Sequence, residues 1–344
     1  MPDRGPVPGA GADQRVGLSE LLARATDRVP LDGAPGKSGA ELERLMIDGQ
    51  PYVLKHLDLA EDWTMRASGC LRGAPLLAWE RGLLARLPAC FNQPIVGVAP
   101  EDGDGQAPSG GCALLMRDVS PWLVPVSEEP IGLDQHLRFL RHMAALHAAF
   151  WACGSECEVV PVMHRYLVLS PWLAAAAAAV GSAHLVPRLV GQGWPRLAEV
   201  APAAAAVVGP LARDPGPLVE ALETTPQSFV HSNWKLDNLG TDEQGRTVVL
   251  DWEQPGRGAP LSDLAWYLAI NCRRLPHGKQ DAIVAYRQAL EEQGIDTEPW
   301  WDRQLALCLL GALVQFGWEK ALGGYDEELA WWETQALRAA PLLG

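Results

Sequence analysis

The strongest constraint on this chain is a polar stretch held between apolar ones. Phe229-Val230 leads into His231-Ser232-Asn233-Trp234-Lys235-Leu236-Asp237-Asn238, and Thr247-Val248-Val249-Leu250 then runs into Asp251-Trp252-Glu253. The Asp242–Gly245 segment between them is a turn signal, so the region reads as strand, polar loop, hairpin and strand in close succession. This order brings an amide, Asn238, and a carboxylate thirteen residues later, Asp251, to one edge of a cleft. Oxygen donors of this kind suit Mg2+ bridging the phosphates of a nucleotide.

Upstream, a helix is expected over Leu18 to Ala25, and GAELERLMIDGQPYVLKHL reads as two strands around an Asp48-Gly49 turn. Lys55 falls at the end of the second strand, where its charge could serve the same phosphates. The apolar spacing from Ala74 to Pro88 predicts a helix containing Glu80, which could orient Lys55. A Gly/Pro-rich stretch and a buried strand, CALLMRDV, follow. The first part is thus a small β unit with a helix packed on it. Beyond it, Leu133 to Phe150 is an amphipathic helix, and Ala-rich helical pieces fill Pro161 to Val208. APLSDLAWYLAINC, DAIVAYRQALEEQG, QLALCLLGALVQFGWEK and DEELAWWETQALRAA are helical by period and composition. The remainder is therefore mostly helical, with one polar hairpin near its middle.

Lys plus Arg number 28 against 42 Asp plus Glu, a net charge of −14, which argues against gripping a nucleic-acid backbone and favours a cationic or metal-bridged partner. The seven Cys are scattered, as expected of free thiols in a reducing compartment, and only Cys153 and Cys157 are close in sequence. Their C-x3-C spacing lacks the second His/Cys cluster of a zinc site. The Pro/Gly-rich residues 1–17 read as a flexible arm without the apolar run of a signal peptide. The Ala-rich stretch from Leu169 is broken by Pro171 and Gly181 and falls short of a membrane span of about 20 residues. A soluble, cytoplasmic chain with no membrane partner is expected. Pro35-Gly36-Lys37-Ser38-Gly39 imitates the end of a phosphate loop, but Leu31 stands where that pattern needs Gly, and a flexible loop fits better. The Trp300-Trp301 and Trp331-Trp332 pairs lie in helical, acidic patterns and read as packing.

Taken together, Lys55, Glu80, the Phe229–Leu268 stretch and its PLSDLAWYL segment resemble the aminoglycoside phosphotransferase/choline kinase group of the protein-kinase-like fold. The similarity is greatest to the bacterial subgroup whose loop reads H-G-D-W-K-x-G-N-L-G and continues to a D-W strand end, and it spans roughly Gly33 to Gly317. It implies a two-lobed α+β architecture, with a β-rich nucleotide-binding lobe over 18–118 and a helical lobe over 119–344. It implies ATP, or GTP in its place, and Mg2+ in the cleft. Lys55 would contact the α- and β-phosphates and Glu80 would pair with it. Asn238 and Asp251 would hold Mg2+, and Met116 to Val119 would form the adenine-binding hinge. His231 would be a structural member of the catalytic loop, and Asp263 would steady that loop. The implied partners are a nucleotide and a small-molecule acceptor, on a monomer or homodimer.

The departures bear directly on activity. Asn233 stands where the family has its catalytic Asp, while Ser232 and Asp237 stand where it usually has Gly. An amide cannot serve as a general base, although its carbonyl oxygen can accept a hydrogen bond from a hydroxyl. Phosphoryl transfer is largely positioning and charge stabilisation, so Asn233 is compatible with a slowed enzyme, and Asp237 is a candidate replacement carboxylate. Two alternatives stay open: a nucleotide- or ligand-binding protein that has lost transfer, and a different reaction, such as an elimination, cyclisation or acyl or adenylyl transfer, in the same cleft. A deliberate Asp-to-Asn inactivation is argued against by the simultaneous changes at Ser232 and Asp237. Glu128, Glu129, Asp263 and Glu319 are candidate partners for an amine-bearing acceptor such as an amino sugar.

Overall fold

The computed structural model describes residues 17–31, 40–59, 61–100 and 110–344; the Pro35–Gly39 run lies outside them. The N-terminal part comprises α1 (Leu18–Ala23), β1 (Ala25–Pro30), β2 (Glu41–Ile47), β3 (Gln50–Asp58), α2 (Trp63–Ser68), α3 (Ala74–Glu80), β4 (Phe91–Asn92), β5 (Ile95–Pro100) and β6 (Gly111–Arg117). Five strands form one antiparallel sheet in the order β1-β2-β3-β6-β5. The β2–β3 hairpin closes on Asp48 and Gly49 with φ of 50° and 76°, the left-handed pair that matches the twist of the strands it joins.

Side chains alternate across a strand, and this alternation aims Lys55. Leu54 packs with Leu45 and Leu115 under Leu18 of α1. Lys55, one residue on, therefore faces the opposite side of the sheet. It sits within β3, three residues before Asp58, and pairs across the sheet with Leu42 and Leu114. The single helix expected over 74–88 stops at Glu80, because Gly82 adopts φ of 69° and the chain continues into a 3-10 turn at Leu84–Arg86. The short α2 was not foreseen. It is launched by Asp62, whose carboxylate caps the backbone N–H groups of Thr64 and Met65.

The helical part contains α4 (Leu133–Ala149), α5 (Val162–Leu167), α6 (Pro171–Ala179), α7 (Leu185–Val200), α8 (Pro202–Leu211), α9 (Gly216–Glu223), β7 (Ser228–Val230), β8 (Leu239–Thr241), β9 (Thr247–Val249), β10 (Gly256–Gly258), α10 (Leu261–Ile270), α11 (Lys279–Glu292), α12 (Trp301–Leu322) and α13 (Glu327–Ala339). With its 22 residues α12 is long and apolar enough to cross a bilayer, but 72% of its apolar window is buried inside this protein, among α7, α10 and α13. Its apolar composition is that of a central core helix. At the α7–α12 crossing a Cβ on Gly193 would lie 2.2 Å from the carbonyl oxygen of Trp318, so only Gly permits the approach.

The β-rich and helical parts are stitched along one seam. β4 pairs in parallel with β9, which in turn pairs with β8. The backbone N–H of Thr247 donates to Cys90 at 2.8 Å, and the Asn92 amide donates to Asp242 at 2.9 Å. After β6 the chain is bound again, by a bridge between Leu123 and Gly240 and by the Val124 N–H on the Leu239 carbonyl at 2.8 Å. The chain is thus a two-lobed α+β structure whose cleft lies between the face of the sheet that carries Lys55 and the β7–β10 loops.

Candidate active site

The polar loop is shaped from behind. Asp263, fully buried in the first turn of α10, accepts the backbone N–H of His231 at 2.8 Å and that of Ser232 at 2.6 Å, and His147 Nε2 donates to it at 3.1 Å. Burial alone would raise this carboxyl, but the bonds from His147 and the loop amides hold it below the ordinary range. His231 Nε2 donates to the Leu250 carbonyl at 2.9 Å, and its Nδ1 accepts the Asn233 N–H at 3.2 Å. Both ring nitrogens are engaged in tying the polar loop to the strand that precedes Asp251. Burial lowers this imidazole, which the two bonds require to be neutral.

At this site two residues take left-handed backbone without being Gly: Ser232 at φ 61° and Asp251 at φ 67°. Such conformations cost about 1–3 kcal/mol each and persist where the surroundings dictate them. Here they turn Asn233 and the Asp251 carboxylate toward each other. Asn233 Nδ2 donates to Asp251 Oδ2 at 2.8 Å, and Asn238 Nδ2 approaches the same oxygen at 3.4 Å while donating to the Asn233 carbonyl at 3.1 Å.

Asp251 Oδ1 takes the other side of the cleft, accepting Lys55 Nζ at 2.9 Å. Lys55 also forms an ion pair with Glu253, whose second oxygen lies 3.4 Å from Thr64 Oγ1. Burial would lower the Lys55 ammonium, yet Asp251 and Glu253 outweigh it and hold the ammonium above its ordinary range. Burial would raise Asp251, but Lys55 foremost holds it below the usual carboxylate range. Glu253 moves the other way, because burial and then the neighbouring Asp251 charge push it up to about 8.

Lys55, Asn233, Asn238 and Asp251 are therefore brought together, with His231 behind them. Glu80 is not among them. It is the exposed last residue of α3 and pairs with Arg72 at 2.8 Å, because the early stop of α3 leaves it on the surface; Lys55 is paired instead by Asp251 and Glu253. Asp237 is half-exposed, 3.9 Å from Lys235 Nζ. Met116 and Val119 flank the end of β6, where Arg117 N–H donates to the Pro94 carbonyl and Asp118 N–H to the Pro51 carbonyl, both at 3.0 Å. Of the acidic residues considered for an amine, Asp263 is consumed by the loop and Glu319 pairs with Lys320 at 3.1 Å. Glu253 was visible in the sequence, but its role depends on the turn after Asp251, and residue order does not disclose that geometry.

The donor set fits Mg2+. Asp251 offers carboxylate oxygens, and Asn238 carries an amide oxygen beside them. No cluster of three or more His, Cys, Asp or Glu able to hold a metal occurs among the described residues. One carboxylate and one amide suit an ion that completes its shell with substrate phosphates, and not a cage made only of protein.

No curated protein matches the chain. Among solved structures it is similar to a thermostable mutant of aminoglycoside phosphotransferase APH(4)-Ia with ADP and hygromycin B, at 15% identity over 94% of this chain and 97% of that one, with a TM-score of 0.49. It is also similar to choline kinase LicA from Streptococcus pneumoniae, at 12% identity over 93% and 95% with a TM-score of 0.49. A third is the macrolide 2'-phosphotransferase MphH from Brachybacterium faecium, at 19% identity over 89% and 88% with a TM-score of 0.42. A family model described as the phosphotransferase enzyme family matches residues 169–301. The segment that builds the polar loop, the Asp251 turn and Asp263 thus matches the phosphotransferase enzyme family, in agreement with the resemblance carried by the sequence.

Proposed function

We propose that this protein is an ATP- and Mg2+-dependent phosphotransferase acting on a hydroxyl of a small molecule, with GTP as the alternative donor. One observation carries the reading: Lys55 from the sheet meets Asp251 across the cleft, with Asn233 and Asn238 on the same carboxylate. In this reading residues 18–118 form the nucleotide lobe, 119–344 form the helical lobe behind a 1–17 arm, and Met116 to Val119 receive the base. The protein works in the cytoplasm as a monomer or homodimer, with no nucleic-acid or membrane partner. Bound Mg2+ would neutralise phosphate charge from Asp251 and Asn238. Lys55 exchanges a carboxylate for a phosphate oxygen when nucleotide enters. Asn233 turns its carbonyl oxygen to the acceptor O–H and orients it. A bond forms from the acceptor's hydroxyl oxygen to the γ-phosphorus, the bond from that phosphorus to the β,γ-bridging oxygen breaks, and the nucleoside diphosphate leaves with the electron pair. The hydroxyl proton passes to the transferred phosphoryl group or to water, since an amide cannot hold it. Asp237, half-exposed beside Lys235, is retained in this reading as the replacement carboxylate for the missing base.

Titration calorimetry with ATP and GTP, each with and without Mg2+, tests the reading on the purified chain. Metal-dependent binding is expected, and Asp251→Asn is expected to abolish it; binding that survives this substitution would sink the metal assignment. Asn233→Asp is expected to raise transfer by about 100-fold, the lower range for a positioned base. The Asn233 amide on Asp251 Oδ2 favours a second reading, a nucleotide-binding protein without turnover, because the amide covers an oxygen that faces the metal site. Nucleotide binding with no gain from Asn233→Asp would support that one.

A further inference from the structure

A second buried cation touches the catalytic loop. Arg165, on α5, is only 4% exposed. Its Nη1 donates to Ser232 Oγ at 2.9 Å and its Nη2 donates to the Arg257 carbonyl. A guanidinium has five N–H donors, so most of its donating capacity is unspent on these two acceptors. Among the described residues no carboxylate lies within ion-pairing distance of it. Three acids, Asp263, Glu158 and Glu223, act on its charge from further away, and none of them touches the guanidinium; two of them have closer partners. Both oxygens of Glu223 accept from Arg257 Nη1, at 2.8 and 2.9 Å, and Asp263 serves His147 and the loop amides.

The surroundings are fitted to this side chain. β10 is bare where the guanidinium lies: a Cβ on Gly258 would come 2.8 Å from Nη2, and one on Gly256 would come 3.3 Å from Nη1. Arg165 also borders a cavity of about 30 Å3, whose walls include Ser232, Ser262, Gln227 and Glu223. A water needs roughly 10–15 Å3 measured this way, so the space suits the head of a carboxylate and not a whole metabolite. A buried guanidinium that no carboxylate touches keeps N–H donors free for an anion, and its fork matches a carboxylate in geometry as well as charge.

We propose that this cavity is an oxyanion subsite of the phosphoryl acceptor: a carboxylate pairs with Arg165 while a hydroxyl of the same molecule reaches Asn233, the residue that follows Ser232. The acceptor class is then a short hydroxy acid, its two groups a few bonds apart because neighbouring Cα atoms are separated by about 3.8 Å. The class of acceptor rests on the phosphotransfer reading above, whereas the anion preference of the cavity does not.

The test titrates the full chain with glycolate, lactate and glycerate, with their amides, and with acetate as a bare anion, in parallel with Mg-ATP. Hydroxy acids are expected to bind at least about tenfold tighter than their amides and than acetate. Arg165→Gln is expected to erase that preference and leave Mg-ATP binding unchanged, while Arg165→Lys restores part of it. Ser262→Leu fills the cavity wall without touching the charge and is expected to erase the preference as well, which covers the case in which Arg165→Gln fails to fold. Equal binding of acids and amides, a preference that survives Ser262→Leu, acetate as tight as the hydroxy acids, or no acid binding at several millimolar would each overturn the proposal. Absence of Mg-ATP binding alongside a clear acid preference would instead count against phosphotransfer and leave the anion subsite standing.

Discussion

Lys55 and Arg165 are both buried cations set against the loops that carry Asn233 and Asp251, yet Lys55 meets two carboxylates while Arg165 meets a hydroxyl and a carbonyl. The first arrangement is neutralised in advance, and an entering phosphate has to compete with Asp251 and Glu253 for the ammonium. The second is touched only by dipoles, with Asp263, Glu158 and Glu223 acting from a distance, so an anion can reach the guanidinium without displacing a bonded carboxylate. Low dielectric strengthens both interactions, but only at Lys55 is the attraction already satisfied within the protein. The contrast assigns exchange to one side of the loop and capture to the other.

Removing each charge gives the largest test of that contrast. Lys55→Met strands the Asp251 carboxylate and removes the partner of Glu253, and breaking a buried pair from one side costs about 3–5 kcal/mol. Arg165→Met loses two hydrogen bonds but also relieves a buried charge that no carboxylate touches, so about 1–2 kcal/mol is expected. Urea unfolding followed by circular dichroism measures both, and equal losses would erase the distinction. A smaller effect comes from pH. Because Glu253 is pushed up from 4.5 to about 8, the native chain holds a proton there that the unfolded chain releases. Its contribution to stability is full below about 4.5 and is lost as pH rises through about 8. Glu253→Gln should flatten the pH dependence of the urea midpoint over that window, and Arg165→Met should leave the slope in place. The smallest effect is that of Ser232→Gly, which relieves a left-handed Ser worth roughly 1 kcal/mol but takes a hydrogen bond of similar size from Arg165. It should be near neutral alone and stabilising by about 1 kcal/mol in an Arg165→Met background. A double-mutant cycle that proved additive would show that Arg165 does not lean on Ser232.

Much of this was legible in residue order. The Asp48-Gly49 hairpin, the polar loop, the hairpin at Asp242–Gly245 and the strand into Asp251 are local patterns with strong turn chemistry, and local patterns survive tertiary packing. Lys55 was found, although its strand runs further than expected, because the cross-strand pairing of His56 to Asp58 with Cys112 and its neighbours is not visible locally. Glu80 misled because periodicity locates a helix without saying where it stops or which side meets the sheet. Arg165 gave no signal at all. In Val162–Leu167 it is one charge in a short apolar helix, and its meaning comes from Gly256 and Gly258, nearly a hundred residues away. The carboxylates of Asp263 and Glu319, counted in sequence as a field for an amine, are spent on internal partners that charge counting does not register.

The pairing of β4 with β9, with the Asn92–Asp242 bond beside it, binds the two halves of the molecule like pages at a spine. Sliding one half along the other would tear the Cys90–Thr247 and Asn92–Asp242 bonds together, whereas a swing about that line keeps them. Lys55 with Asp251 and Glu253 then acts as the clasp of the book: it joins the covers, and a phosphate that draws the ammonium away from those carboxylates undoes it in the act of entering.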